Sequence, residues 1–216
     1  MTNRLAKRKA KTPKPYHHGN LVEALIAVTV EIIEERGVEH VSVREAAKRA
    51  GVSPGAPFQH FRSKTALLTA VAEQAMGRLT QAVAAAQSKD ADSPIAVLEA
   101  IGRSYLQWAL TNPTHFEIIN SRTLIDFEAS DSLRTQNEAI RQRMLELLTQ
   151  AREQGQLIEG LDLNYTVLTA RALVYGLARM AIDGHFPRWH PFEPPPQAMR
   201  QALRLFIGQI TASPVK

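Results

Sequence analysis

Apolar residues recur at helical spacing along most of the chain. In residues 20–36 they form one stripe, which predicts an amphipathic helix ended by Gly37. The same spacing predicts further helices over residues 64–87, 94–110, 114–120, 131–154, 163–183 and 197–211. Polar or proline-rich segments separate these helices, and no segment alternates as a strand would. The pattern therefore predicts an all-α protein of about nine helices.

Residues 42–61 contain two predicted helix caps, separated by a glycine that is expected to end the first helix. Ser42 can cap a short helix, Glu45 completes a capping box, and Gly51 ends the helix in the left-handed conformation. Ser53 is then expected to cap a second helix over residues 54–60, with Pro54 at its first position. This order is typical of a helix-turn-helix, whose second helix normally lies in the major groove of DNA.

Positive charge is concentrated near the start of the chain. Residues 1–70 contain 12 Lys and Arg against 6 Asp and Glu, whereas residues 71–216 contain 14 against 15. Residues 1–15 include no acidic residue and two prolines, which predicts a disordered basic arm. Such an arm could serve solubility alone. Beside a helix-turn-helix, the charge favours contacts with phosphates or with the minor groove.

Composition and motifs argue against an enzyme. The 216 residues include no cysteine, which excludes disulfides, thiol nucleophiles and thiolate metal sites. The sequence has no phosphate-binding glycine loop, zinc-protease helix or nucleophile elbow, and His115, His185 and His190 are scattered. We therefore predict no catalytic residue, no cofactor and no metal site. Without a signal peptide or a long apolar run, we expect a cytoplasmic protein with no membrane contact.

Residues 15–70 closely resemble the DNA-binding domain of the TetR (tetracycline repressor) family of bacterial transcription regulators. Residues 16–21 and 35–37 are similar to the family's first helix and its end. Phe58 departs from the usual Tyr, so one phosphate contact should be missing, and Pro57 occupies a position that is more often Leu. The other matched positions are Ser42, Val43, Arg44, Ala47, Ala50, Gly51, Val52, Ser53, Gly55, His60, Phe61, Ser63, Lys64 and Leu67.

The helix-turn-helix pattern and the resemblance predict which residues contact DNA. Gln59 is expected to read a base edge, while His60 and Lys64 contact phosphates. Phe61 is expected in the core, whereas Phe58 suits either the core or the DNA backbone. The full predicted set, called the candidate DNA face below, is Ser42, Arg44, Ser53, Pro54, Gly55, Ala56, Phe58, Gln59, His60 and Lys64.

The predicted domain organisation follows the same division. Residues 1–15 form the arm, residues 16–65 the helix-turn-helix domain, and residues 66–216 a helical domain for ligand binding and dimerisation. The resemblance implies that the long helix after Arg62 joins the two domains and that the last two long helices pair in a homodimer. From the residues alone, an intramolecular core explains their apolar faces equally well.

Aromatic residues on consecutive helices suggest a pocket for a small, mainly apolar or aromatic effector, although such residues are also usual in a core. Arg122 or Arg171 could pair with an anionic ligand or form a surface salt bridge. The candidate lining residues are Tyr105, Trp108, Phe116, Ile119, Phe127, Met144 and Tyr175.

The combined prediction is a homodimeric repressor that binds a palindromic double-stranded DNA operator and is released by an unknown small-molecule effector. Two alternatives remain open. One is a helical small-molecule-binding module without specific DNA binding, and the other is a helical enzyme with an unrecognised site.

Overall fold

The computed structural model describes residues 21–85 and 93–212. Over these two ranges it contains nine α-helices and no strand, which confirms the predicted all-α fold. The helices are α1 Leu21–Arg36, α2 Val43–Ala50, α3 Lys64–Ala85, α4 Pro94–Thr111, α5 Pro113–Asn120, α6 Asp131–Glu153, α7 Leu163–Ile182, α8 Phe186–Trp189 and α9 Pro195–Ile210. The predicted basic arm, residues 1–15, lies outside the described residues, as does most of the polar break at 88–94.

Helix α2 begins and ends as its sequence predicts. The Ser42 side chain accepts a hydrogen bond from the Glu45 amide at 3.1 Å. Gly51 ends the helix with a φ of +71°, which glycine adopts without a clash. The Glu45 carboxylate accepts from Arg36 at 2.7 Å, so it ties α2 to α1. Arg49 makes a second tie across the two helices, because it binds both Glu31 and Glu35.

The predicted second helix over residues 54–60 is wrong in type and extent. The chain forms a one-turn 3₁₀ helix, Ala56–Gln59, preceded by Gly55 rather than by a capping Ser53 side chain. Pro57 explains the difference, because it has no N–H to donate to the Ser53 carbonyl and disfavours an α conformation at Ala56. The Ser53 carbonyl instead accepts from the Ala56 amide at 3.1 Å, which is the shorter 3₁₀ spacing.

Two serines in this region make a matched test of capping. Replacing Ser42 by Ala removes the acceptor at the start of α2 and should lower the free energy of unfolding by about 1 kcal/mol. Replacing Ser53 by Ala should leave stability nearly unchanged, because the Ser53 side chain caps no helix. Urea unfolding followed by circular dichroism measures both. Equal losses in the two variants would contradict this assignment of the caps.

Helix α3 links the helix-turn-helix to the rest of the described helices. It packs against α1 and also against α4, α5 and α6. Helices α7 and α9 pack on α4 and on each other. The buried side chains of α3 therefore belong to one core that runs through the described part of the chain, and they are Leu67, Leu68, Val71, Ala72, Ala75, Met76, Leu79 and Val83.

Candidate nucleic-acid interface and ligand cavity

The 3₁₀ helix and its flanks present small and polar groups to solvent. Gln59 and His60 are exposed, and the Phe58 side chain is 42% exposed rather than core. Pro57 and Phe61 are buried beneath them and fix the turn against the core, as expected for Phe61. Eight of the ten predicted residues are exposed, and Ala56 and Lys64 are half-buried. The turn therefore offers a surface on which a nucleic acid can approach the backbone closely.

Three cations near this turn, Arg44, Lys48 and Arg62, make no ion pair and no side-chain hydrogen bond within the described residues. All three are exposed. Cations without an intramolecular partner are suited to phosphate binding. The sequence-based set contained Arg44 and omitted the other two. Lys48 could have been found, since it lies four residues after Arg44 and so on the same face of α2.

Lys64 has an intramolecular partner that its position in the sequence did not predict. Its ammonium group donates a hydrogen bond to the Val38 carbonyl at 2.6 Å. This bond fixes the start of α3 to the turn that follows α1. Lys64 therefore positions the helix-turn-helix in addition to any contact it makes with a phosphate.

A cavity of about 340 Å³ lies between α3, α4, α6, α7 and α9. Its wall is mainly apolar and includes Gly102 of α4 and Leu203 of α9. A side chain at position 102 would collide with Leu203, since an added Cβ would lie 2.9 Å from the nearest Leu203 carbon. Other apolar residues in the wall are Met76, Leu79, Val83, Leu98, Ile101, Val167, Val174, Phe206 and Ile207.

Tyr105 and Arg171 form a polar part of the cavity wall. The Arg171 guanidinium lies 4.8 Å from the centre of the Tyr105 ring. The buried Tyr105 hydroxyl has no hydrogen-bond partner in the described part of the chain. Burial raises the pKa of Tyr105, and the positive charge of Arg171 opposes this shift. The hydroxyl therefore stays protonated at neutral pH and can donate a hydrogen bond.

Two family models cover both parts of this architecture. The model for bacterial regulatory proteins of the tetR family matches residues 25–71, which contain the helix-turn-helix. The model for the tetracyclin repressor-like C-terminal domain matches residues 98–206, which contain the cavity. The chain belongs to the TetR family. The predicted class, a DNA-binding transcriptional regulator, is confirmed at this level.

Several relatives of this TetR-family chain extend the comparison. A structure of a protein of unknown function from Rhodococcus sp. RHA1 is 28% identical, covers 93% of this chain and all of that one, and has a TM-score of 0.77. The nucleoid occlusion factor SlmA of Haemophilus ducreyi is 30% identical over 61% of this chain and 62% of its own length. The fatty acid metabolism regulator protein of Bacillus subtilis is 25% identical over 70% of this chain and 76% of its own.

The TetR-family cavity contains two of the seven residues proposed from the sequence, Tyr105 and Met144. The other five lie outside its wall. Trp108, Phe116 and Ile119 are buried in the core. Tyr175 stacks on Phe116 with ring centres 5.8 Å apart, and Phe127 lies under the Arg122 guanidinium at 4.6 Å. Sequence reasoning missed the aliphatic lining residues of α3 and α9. In the sequence, apolar residues that line a cavity recur at the same helical spacing as apolar residues of the core.

Large apolar side chains remain exposed on α7 and α9 of this TetR-family chain. Tyr165 is 70% exposed, and Leu168 and Leu205 are each 60% exposed. These two helices pack against each other, so the exposed residues lie on neighbouring helices. Exposed apolar residues grouped in this way are typical of surfaces that bind another protein.

Other kinds of site were also sought in the structure. The described residues contain no group of three or more His, Asp or Glu side chains placed to hold a metal ion. Within the same ranges, none of the helices combines the length and apolar character needed to span a membrane. His115 is buried, and burial together with the charge of Arg78 lowers its pKa, so it is a packed neutral side chain at pH 7.

Proposed function

We propose that this protein is a homodimeric repressor that binds a palindromic DNA operator and releases it when a small molecule enters the cavity. It is proposed to act in the cytoplasm, where the operator DNA lies. The main support for this proposal is the extent of α3. This helix begins at Lys64 beside the helix-turn-helix, and its residues Met76, Leu79 and Val83 line the cavity. One helix thus belongs to both candidate sites.

The candidate DNA face supports the DNA half of the proposal. Gln59 is exposed on the 3₁₀ turn and can hydrogen-bond a base edge, since its amide both donates and accepts. Gly55 and Ala56 allow close approach of the backbone. Ser42, Arg44, Ser53 and His60 are proposed to contact phosphates, together with Lys48 and Arg62, while Pro54 and Phe58 pack against the DNA backbone.

The domain assignment is part of the proposal. Residues 16–65 are taken as the DNA-binding domain and residues 66–216 as the ligand-binding and dimerisation domain. The exposed apolar residues of α7 and α9 support a dimer. A second copy related by two-fold symmetry would bury Tyr165, Leu168 and Leu205 in the interface. A dimer places two recognition turns on one duplex, about one or more helical turns apart.

The test uses the full chain with DNA fragments from beside its own gene. Light scattering should give the mass of a dimer, and fluorescence anisotropy should show one fragment retained in excess unrelated DNA. A metabolite that raises thermal stability should also release that fragment. A monomer that retains no fragment would contradict the proposal and favour a ligand-binding module. Turnover of a bound metabolite would instead favour an enzyme.

A further inference from the structure

The charged groups of the cavity are unequally available to a ligand. Two arginines line it, Arg141 and Arg171. Arg141 is already neutralised, because its guanidinium donates to Glu138 at 2.6 Å and at 2.9 Å. That bond lowers the pKa of Glu138 to about 2, so the pair stays ionised throughout the neutral range.

Arg171 has no carboxylate partner among the described residues. Its one hydrogen bond there is long, at 3.4 Å to the Asn120 side chain. The guanidinium is half-buried beside the Tyr105 ring. The Tyr105 hydroxyl is buried near Arg171 and Asn120 but makes no hydrogen bond of normal geometry within the described residues. A half-buried cation beside a buried hydroxyl donor is suited to bind an acceptor that carries negative charge.

We infer that the effector is a small amphipathic carboxylate, held by Arg171 and the Tyr105 hydroxyl, with its hydrocarbon part against the aliphatic wall. This inference rests on the proposed effector function of the cavity. The planar guanidinium fork matches a carboxylate in a bidentate bond, and the charged bond is stronger than a neutral one. The aliphatic part of the wall, which includes Met76, Leu79 and Leu203, offers no charged group to a second polar end.

The cavity volume limits the size of this ligand. A water molecule takes up about 30 Å³ in the liquid. At that share for each heavy atom, the cavity of about 340 Å³ holds about 11 heavy atoms. A medium-chain fatty acid or an arylalkanoic acid has this size, so octanoate is a suitable probe.

Calorimetric titration of the full chain, without DNA, with octanoate and with 1-octanol tests the inference. The wild type should bind octanoate at least about tenfold more tightly than the alcohol. Arg171→Gln should abolish this preference, and Arg171→Lys should restore part of it by returning the charge. Tyr105→Phe should weaken octanoate binding several-fold and leave the alcohol unchanged.

Arg179→Gln is the matched control. Arg179 lies on the same helix but pairs with Glu117 and Asp183 outside the cavity wall, so the preference should survive its loss. Thermal melting of each variant verifies folding. Equal binding of octanoate and 1-octanol by the wild type, binding of neither, or a preference that persists in folded Arg171→Gln would overturn the inference.

Failure of this inference differs measurably from failure of the proposed function. A chain that retains its DNA fragment but shows no preference for octanoate overturns the carboxylate assignment alone. A chain that prefers octanoate through Arg171 but retains no DNA overturns the regulator and keeps the ligand site.

Discussion

Replacing Phe116 by Ala is expected to lower the free energy of unfolding by about 3–5 kcal/mol. Phe116 is completely buried on the short helix α5. Its ring meets Tyr105 edge-on at 6.3 Å and stacks on Tyr175 at 5.8 Å, so it joins α5 to α4 and α7. Truncation removes these contacts and leaves a void that rigid neighbouring helices cannot fill. Urea unfolding at equilibrium measures the loss.

Phe192 provides the control for this substitution. Its side chain is 86% exposed. Phe192→Ala therefore makes the same chemical change where only an exposed contact with the His190 ring is lost. Its effect should stay within about 0.5 kcal/mol. If Phe116→Ala cost no more than Phe192→Ala, Phe116 would not be the packed centre of this part of the core.

Replacing Gln59 by Ala is expected to remove about 1–3 kcal/mol of discrimination at one base pair of each half-site. Gln59 is the exposed amide at the end of the 3₁₀ turn, and no other exposed side chain of that turn, Ala56–Gln59, can both donate and accept. Affinity for unrelated DNA should change little, because phosphate contacts carry that part of the binding. Anisotropy titrations against the operator and its single-base variants measure the effect.

Arg62→Ala should weaken DNA binding without changing the base preference. Arg62 is an exposed cation beside the turn, so its loss should weaken binding to all sequences and reduce the salt dependence by about one ion. Base preference that survives Gln59→Ala unchanged would mean that another residue reads the operator.

The sequence predicted those parts of the fold that depend on local bonds. Ser42 and Gly51 determine the ends of α2 through neighbours within five residues, so their pattern was sufficient. The predicted second helix does not form for an equally local reason, because Pro57 has no N–H to donate. A family pattern alone does not reveal how one proline changes the hydrogen bonds of a single turn.

The cavity could be predicted only in part, because it is a tertiary feature. Tyr105 and Met144 were proposed as aromatic or large residues on middle helices, and they line the wall. Phe116 is likewise an aromatic residue on a middle helix, but its side chain is fully buried in the core. Only the relative positions of α4, α5 and α7 distinguish these cases. Arg171 was noted as a possible anion partner, yet its lack of a carboxylate partner is visible only in three dimensions.

The contact between Gly102 and Leu203 has a consequence for how such regulators diverge. Any larger residue at position 102 must push Leu203 aside and so reshape the cavity. Neither α4 nor α9 contributes a residue to the candidate DNA face. After gene duplication, substitutions at this crossing can therefore change the shape of the cavity in one copy without altering any residue of the candidate DNA face.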